Sequence, residues 1–159
     1  MDSRKLIVKA GEIEEMEGER RVHFLNPAAD RVRKSLGDRV GLNNIGVHLI
    51  YVEPGKETTE YHKHYHEEEC IYVLSGNGTL VIEGESFPFG QGDFVGFPAN
   101  TAAHSLANDG EEMLVCLVMG QRLAQDVADY PHQGKRLYRY GDTWDLVDLK
   151  DITDPRNSA

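Results

Sequence analysis

The stretch from Tyr61 to Gly76, "YHKHYHEEECIYVLSG", decides how the rest of the chain is read. His62, His64 and His66 stand at every second position, then come Glu67, Glu68 and Glu69, then an apolar run ending in glycine. In an extended strand, residues i and i+2 share a face with Cα atoms about 6.5–7 Å apart. His62 and His64 therefore point the same way and can converge on one ion at about 2.1 Å from each nitrogen. One carboxylate from the following strand would complete three ligands. Such a set suits Fe(II), Mn, Ni, Co or Zn better than Ca or Mg, because imidazole is a borderline ligand. A fourth ligand has to come from elsewhere, and His104 in "PANTAAHSLAN" (98–108) is the candidate. The same residues also fit a plain alternative, with histidines facing solvent, a charged "EEE" turn and a satisfied His104. Composition and periodicity leave both open, along with His64 and His66 as a second H-x-H pair.

Working outward, the segments "IGVHLIYV" (45–52), "ECIYVLS" (69–75), "GTLVIEG" (78–84), "DFVGFP" (93–98) and "EMLVCLVMG" (112–120) are short and rich in Val, Ile, Tyr and Phe. Each is bounded by Gly, Pro, Asn or Asp, the pattern of an all-β antiparallel sandwich or barrel. "SGNG" (75–78), "EGES" (83–86) and "GQGD" (90–93) supply residues that accept the positive φ of tight hairpins. The period-2 rule puts Glu69, Ile71 and Val73 on one face, turned inward, and Cys70, Tyr72 and Leu74 on the other. Residues 1–44 read as polar and irregular with a short helix, and the basic residues Arg31, Arg33, Lys34 and Arg39 as a solvated face. "QRLAQDVADYP" (121–131) reads as a short helix or a surface excursion. "GKRLYRYGDTWDLVDL" (134–149) reads as two strands around Gly141-Asp142, with Trp144, Leu146 and Leu149 partly buried. The 159 residues fit one domain.

Composition excludes several function classes. A formal net charge of −10 argues against nucleic acid or anionic lipid as the main partner. No apolar run approaches the roughly 20 residues of a membrane span, and the start has no signal-peptide pattern. Cys70 and Cys116 sit in apolar strands as free thiols, and a cytoplasmic location follows as the expectation.

The order and spacing of these residues resemble the cupins, whose two motifs run G-x5-H-x-H-x(3,4)-E-x6-G and G-x5-P-x-G-x2-H-x3-N. Here Gly55 leads to His62-Lys63-His64, then Glu69 and Gly76; Gly92 leads to Pro98, His104 and Asn108. One extra residue precedes His62, another precedes His104, and Asn100 occupies a glycine position; all three departures fall in turns. The resemblance covers about residues 45–120. It implies a double-stranded β-helix, or jelly-roll barrel, with irregular N-terminal and C-terminal extensions. It also implies a metal held by His62, His64, Glu69 and His104, with His66 and Glu68 the weaker alternatives and Glu67 solvated.

The implied cofactor is a divalent transition metal: Fe, Mn, Ni or Zn. Three neutral imidazoles and one carboxylate leave an M2+ site at net +1 with an open position, suited to anionic or oxygen-rich small molecules. The expected function is that of a metal-binding cupin, a dioxygenase-like or isomerase-like enzyme or a non-catalytic binder of sugars or carboxylates. No catalytic residue follows from spacing. Tyr51, Tyr72, His48 and Cys116 are the side chains on the flanking strands with suitable chemistry. A homodimer is expected, because the second apolar face of the sheet needs a cover and cupins commonly pair. His23 and His132 read as surface residues.

Overall fold

The structure, a computed structural model, describes residues 3–157; the outermost ends of the expected domain, 1–2 and 158–159, lie outside the described residues. Strands carry the fold: β1 (Glu19–His23), β2 (Asn26–Ser35), β3 (Ile45–Val52), β4 (Lys63–His64), β5 (Glu69–Ser75), β6 (Asn77–Ile82) and β7 (Glu85–Gly90). After these come β8 (Phe94–Phe97), β9 (His104–Ala107), β10 (Leu114–Gln121), β11 (Gln125–Tyr130), β12 (Lys135–Tyr140) and β13 (Thr143–Asp148). Only short helices accompany them, α1 (Ala10–Glu15) and α2 (Leu36–Arg39) among them. The strands form a six-stranded sheet in the order β1-β2-β3-β10-β5-β8, a four-stranded sheet β13-β12-β11-β4 and a three-stranded sheet β7-β6-β9. Every strand pairing is antiparallel. This is an all-β jelly-roll barrel.

Alternation in the strands builds the core. Ile71 and Val73 of β5, Ile50 and Val52 of β3, and Leu114 and Cys116 of β10 point inward and meet Leu80, Phe89 and Leu106 of the three-stranded sheet. Each fully buried aliphatic side chain contributes about 1.5–3 kcal/mol. Tyr72 and Leu74 point outward and are exposed, as period 2 requires.

Turn chemistry sets the registers. Glu83 and Gly84 both take positive φ, 48° and 82°, which closes the β6–β7 hairpin with the twist its strands need. At Gly76 φ is +80° and a Cβ would stand 2.5 Å from the Met113 carbonyl, so only glycine fits. Asn100 lies in the left-handed region at φ 56°, which explains why asparagine serves where the motif has glycine. Asn108 is buried and its amide donates to the carbonyls of Val52 (2.7 Å) and Glu112 (2.8 Å), tying β3 to the loop before β10.

The flanks correct the sequence expectation. Where irregular chain was expected, β1 and β2 extend the first sheet from its β3 edge and β11 joins another, whereas β12 and β13 are the two strands expected around Gly141-Asp142. "QRLAQDVADYP" therefore contains a strand, with Asp126, Ala128 and Tyr130 buried on one face. Trp144 and Leu146 are exposed rather than partly buried, whereas Leu149 is half-buried. In β2 the pairs Arg33↔Ile50 and Ser35↔His48 put Arg33 and Ser35 on the core-facing side, and alternation adds Arg31. Arg31 and Arg33 are thus half-buried and inward-facing rather than solvated; Lys34 lies on the outer face above the Tyr51 ring, and Arg39 is exposed.

Candidate metal centre

His62 is delivered by the loop between β3 and β4 and is locked to His104 of β9 by two backbone hydrogen bonds, 3.0 and 2.8 Å. That bridge holds the two rings 4.6 Å apart. Glu69 begins β5 with its side chain inward, and its Oε2 lies 3.4 Å from His62 Nε2 and 3.2 Å from His104 Nε2. Ligands at about 2.1 Å from a shared ion stand about 3.0 Å apart at right angles and about 3.4 Å apart at the tetrahedral angle. The observed edges fall in that interval.

His64, in β4, stands beside this trio with its ring 4.8 Å from that of His62 and perpendicular to it. Its Nδ1 lies 2.5 Å from Asp126 Oδ2, and Asp126 also accepts the backbone N–H groups of His66 (3.1 Å) and Glu67 (3.3 Å). The grouping by ligand atoms is therefore His62, Glu69 and His104 in one cluster, and His64, Glu67 and Asp126 in a second.

Tautomers decide what this arrangement can bind. His62 Nδ1 faces the Glu60 carbonyl at 2.9 Å, His104 Nδ1 faces the Ala102 carbonyl at 3.3 Å, and His64 Nδ1 faces a carboxylate. Those partners only accept, so each Nδ1 carries the proton and each neutral ring has a bare Nε2. Two bare lone pairs then converge on an anionic oxygen, an arrangement that is repulsive without a cation between them. Burial lowers the pKa of His62 and opposes protonation as the remedy. Burial also raises Glu69, but its close contacts with the His104 and His62 rings outweigh it and hold the carboxyl well below its usual range. At His64 burial is outweighed by the bond to Asp126 and the nearby Glu69 charge, so its pKa rises. The donor set fits a divalent ion, which His62, Glu69 and His104 could hold with His64 closing from the side. Phe97 stacks on His104 at 3.4 Å and 3°, fixing that ring.

His66 and Glu68 are exposed, whereas the expectation of a solvated Glu67 is corrected: its carboxylate is tied to Arg139 and to the Leu123 N–H. Tyr51 and Tyr72 lie on the outer face with Leu49 and Leu117, away from the centre. Cys116 is in the apolar core, its thiol pushed up to about 12 by burial. His48 alone of the four flanking candidates faces the site. It lines a cavity of about 170 Å3 with His64, Glu67, Glu68, Glu69, Val118 and Arg122. His23 is a further correction, half-buried between Phe24 and Tyr130; burial, then the His62 and Arg31 charges, lower it to about 4. His132 is exposed and stacks on Tyr61.

Asp126 and the inward arginines went unseen in the sequence. In "QDVADY" and "DRVRKS" the period-2 signal is present, but charged residues occupy inward positions and mimic the solvated face of an edge strand.

Residues 48–120 match the Cupin domain family. A candidate sugar phosphate isomerase from Acidithiobacillus ferrooxidans is 62% identical over 98% of this chain and 100% of its own, with a TM-score of 0.96. A sugar phosphate isomerase of the cupin superfamily from Silicibacter pomeroyi is 27% identical over 86% of this chain and 93% of its own, with a TM-score of 0.78. The chain belongs to the cupin superfamily. Among curated proteins, an uncharacterised protein of Methanocaldococcus jannaschii is 35% identical over 66 residues, a match spanning 42% of this cupin and 52% of that protein. No helix among the described residues is long and apolar enough to cross a membrane.

Proposed function

We propose that this cupin is a metal-dependent isomerase of a small phosphorylated sugar, with His62, His64, Glu69 and His104 as ligands to Fe, Mn, Ni or Zn. The observation that carries the proposal is the convergence of His62 and His104 Nε2 on Glu69 Oε2, with Glu69 also lining cavities of about 170 and 470 Å3. The 62% identical relative described as a candidate sugar phosphate isomerase supports the substrate class.

A bound divalent ion would supply Lewis acidity, polarising a carbonyl and an adjacent hydroxyl so that a proton can move between neighbouring carbons. Asp126 orients His64 and fixes its tautomer, Glu60 and Ala102 do the same for the other two rings, and Phe97 backs His104. The N-terminal hairpin brings His23 and Arg31 within electrostatic reach of the centre.

Metal-loaded protein incubated with aldose and ketose phosphates in D2O should show interconversion and deuterium incorporation by proton NMR, abolished in Glu69→Gln. Stoichiometric metal with no interconversion across pentose and hexose phosphates would overturn the isomerase assignment. Substrate-dependent oxygen uptake would replace it with dioxygenase chemistry.

We further propose that two copies pair through the outer face of the six-stranded sheet. There Tyr72 (39%), Leu74 (40%) and Phe94 (62%) are exposed beside the edge strand β8. Light scattering should give twice the chain mass, and Phe94→Glu should halve it; a monomeric wild-type protein would contradict the pairing.

A further inference from the structure

The inward face of the six-stranded sheet beside Glu69 carries a cluster of cations. Arg31, Arg33 and Ser35 of β2 and His48 of β3 share this face, and Arg122 reaches it from beyond β10. Arg33 Nε and His48 Nδ1 are buried without a hydrogen-bond partner. His48 Nε2 faces Arg122 Nη2 at 3.5 Å and can only accept there, so the orphan His48 Nδ1 carries the proton. Ser35 Oγ on the same face is a third unpaired atom, a hydroxyl that can donate as well, and buried donors left unpaired are costly.

Charge leads to the same conclusion. Arg33 is paired with Glu19, and Arg122 with Asp38. Arg31 donates only to the Thr58 carbonyl and, among the described residues, has no carboxylate within 4.0 Å. Burial, then Arg33, lower its pKa, while Glu69 raises it, which puts Arg31 within electrostatic reach of the metal centre. One positive charge on this face, that of Arg31, is therefore left without a carboxylate of its own.

Space is provided by two glycines. Gly46 and Gly120 are direct register partners and both line the 170 Å3 cavity, which holds about five water volumes. A Cβ on Gly46 would stand 2.9 Å from His48 Nε2 and 3.2 Å from Arg122 Nε.

We propose that Arg31, Arg33, His48 and Arg122 form an oxyanion subsite for the phosphate dianion of the substrate, opposite the carbons that meet the metal. The phosphate oxygens accept the orphan N–H groups, and its negative charge pairs with Arg31. The assignment of a phosphorylated sugar rests on the isomerase proposal above; the oxyanion subsite itself does not.

Calorimetric titration of inorganic phosphate into metal-stripped protein tests the subsite. Wild-type protein should bind it, Arg31→Gln and Arg33→Gln should each weaken binding about tenfold or more, and Lys150→Gln on the distant surface should change nothing. Because Arg31→Gln also removes a bond to the Thr58 carbonyl, Gly46→Ala provides a second route: it keeps every charge, fills the cavity, and should weaken phosphate comparably. Equal affinity in wild type and in the Arg31, Arg33 and Gly46 variants, or binding that requires the metal and ignores both arginines, would overturn the subsite. Tight phosphate binding by the subsite with no sugar isomerisation would leave the subsite standing and remove only the isomerase assignment.

Discussion

The two ends of the barrel use the same strands for opposite purposes. At the closed end, β3, β5, β9 and β10 point Val52, Val73, Leu106 and Leu114 into a core where each is at most 1% exposed. Two to six residues along the same strands, the inward positions are His48, Glu69, His104 and Gly120. Backbone geometry is unchanged between the two ends; only the chemistry of the inward residue switches. The closed end is satisfied by packing, whereas the mouth needs a hydrogen bond, a cation or an anion for each buried polar atom. A jelly roll thus separates stability from function along the strand axis.

That division is most sharply tested within β9. Leu106→Ala should cost about 2–5 kcal/mol of folding stability and leave metal content intact, as followed by urea denaturation and elemental analysis. Two residues away, His104→Ala should abolish stoichiometric metal at a smaller cost to the metal-free protein. Equal losses of stability at both positions would mean that the mouth is a structural core after all.

A smaller effect separates two aspartates of β11, Asp126 buried and Asp129 half-buried. Asp126→Asn, which disturbs the tautomer of His64, should weaken metal binding by about 10–100-fold. Asp129→Asn should leave metal affinity unchanged, because Asp129 is held by Tyr65 and Arg136 away from the centre. Metal competition titrations compare the two.

The smallest expected signal is in pH. His48 is lowered to about 4 by burial, then by the Arg33 and Arg122 charges. Between pH 6.5 and 4 the unfolded chain takes up a proton that folded His48 refuses, so stability falls as pH falls through that window and is flat above it. His64, raised, has its slope above 6.5 and does not mask this. With His48 only half-buried, its share of the loss should be on the order of 1–2 kcal/mol, and His48→Gln should remove that share while His23, also lowered to about 4, keeps a parallel slope. An unchanged slope in that variant would mean that His48 is not held neutral.

Much of this was legible in the sequence. The apolar runs of β3 and β5 were readable to the residue, because period-2 alternation with glycine punctuation is a strong signal for a half-buried strand. His62, Glu69 and His104 were found through motif spacing and are brought together; His64 is adjacent, engaged by an aspartate that no spacing rule indicated. Arg31 and Arg33 were misjudged for a physical reason. Alternating charge looks identical whether a strand faces water or a polar cavity, and only the register with β3 distinguishes them. Trp144 and Leu146 failed in the opposite sense, since on the edge strand β13 they stay exposed among the described residues.

The most direct test of the account is elemental analysis of untagged wild-type protein beside Glu69→Gln, His104→Ala and His66→Ala. The account predicts one transition-metal ion per chain in wild type and in His66→Ala, and little or none in the other two. Full metal in His104→Ala with loss in His66→Ala would contradict the centre described here.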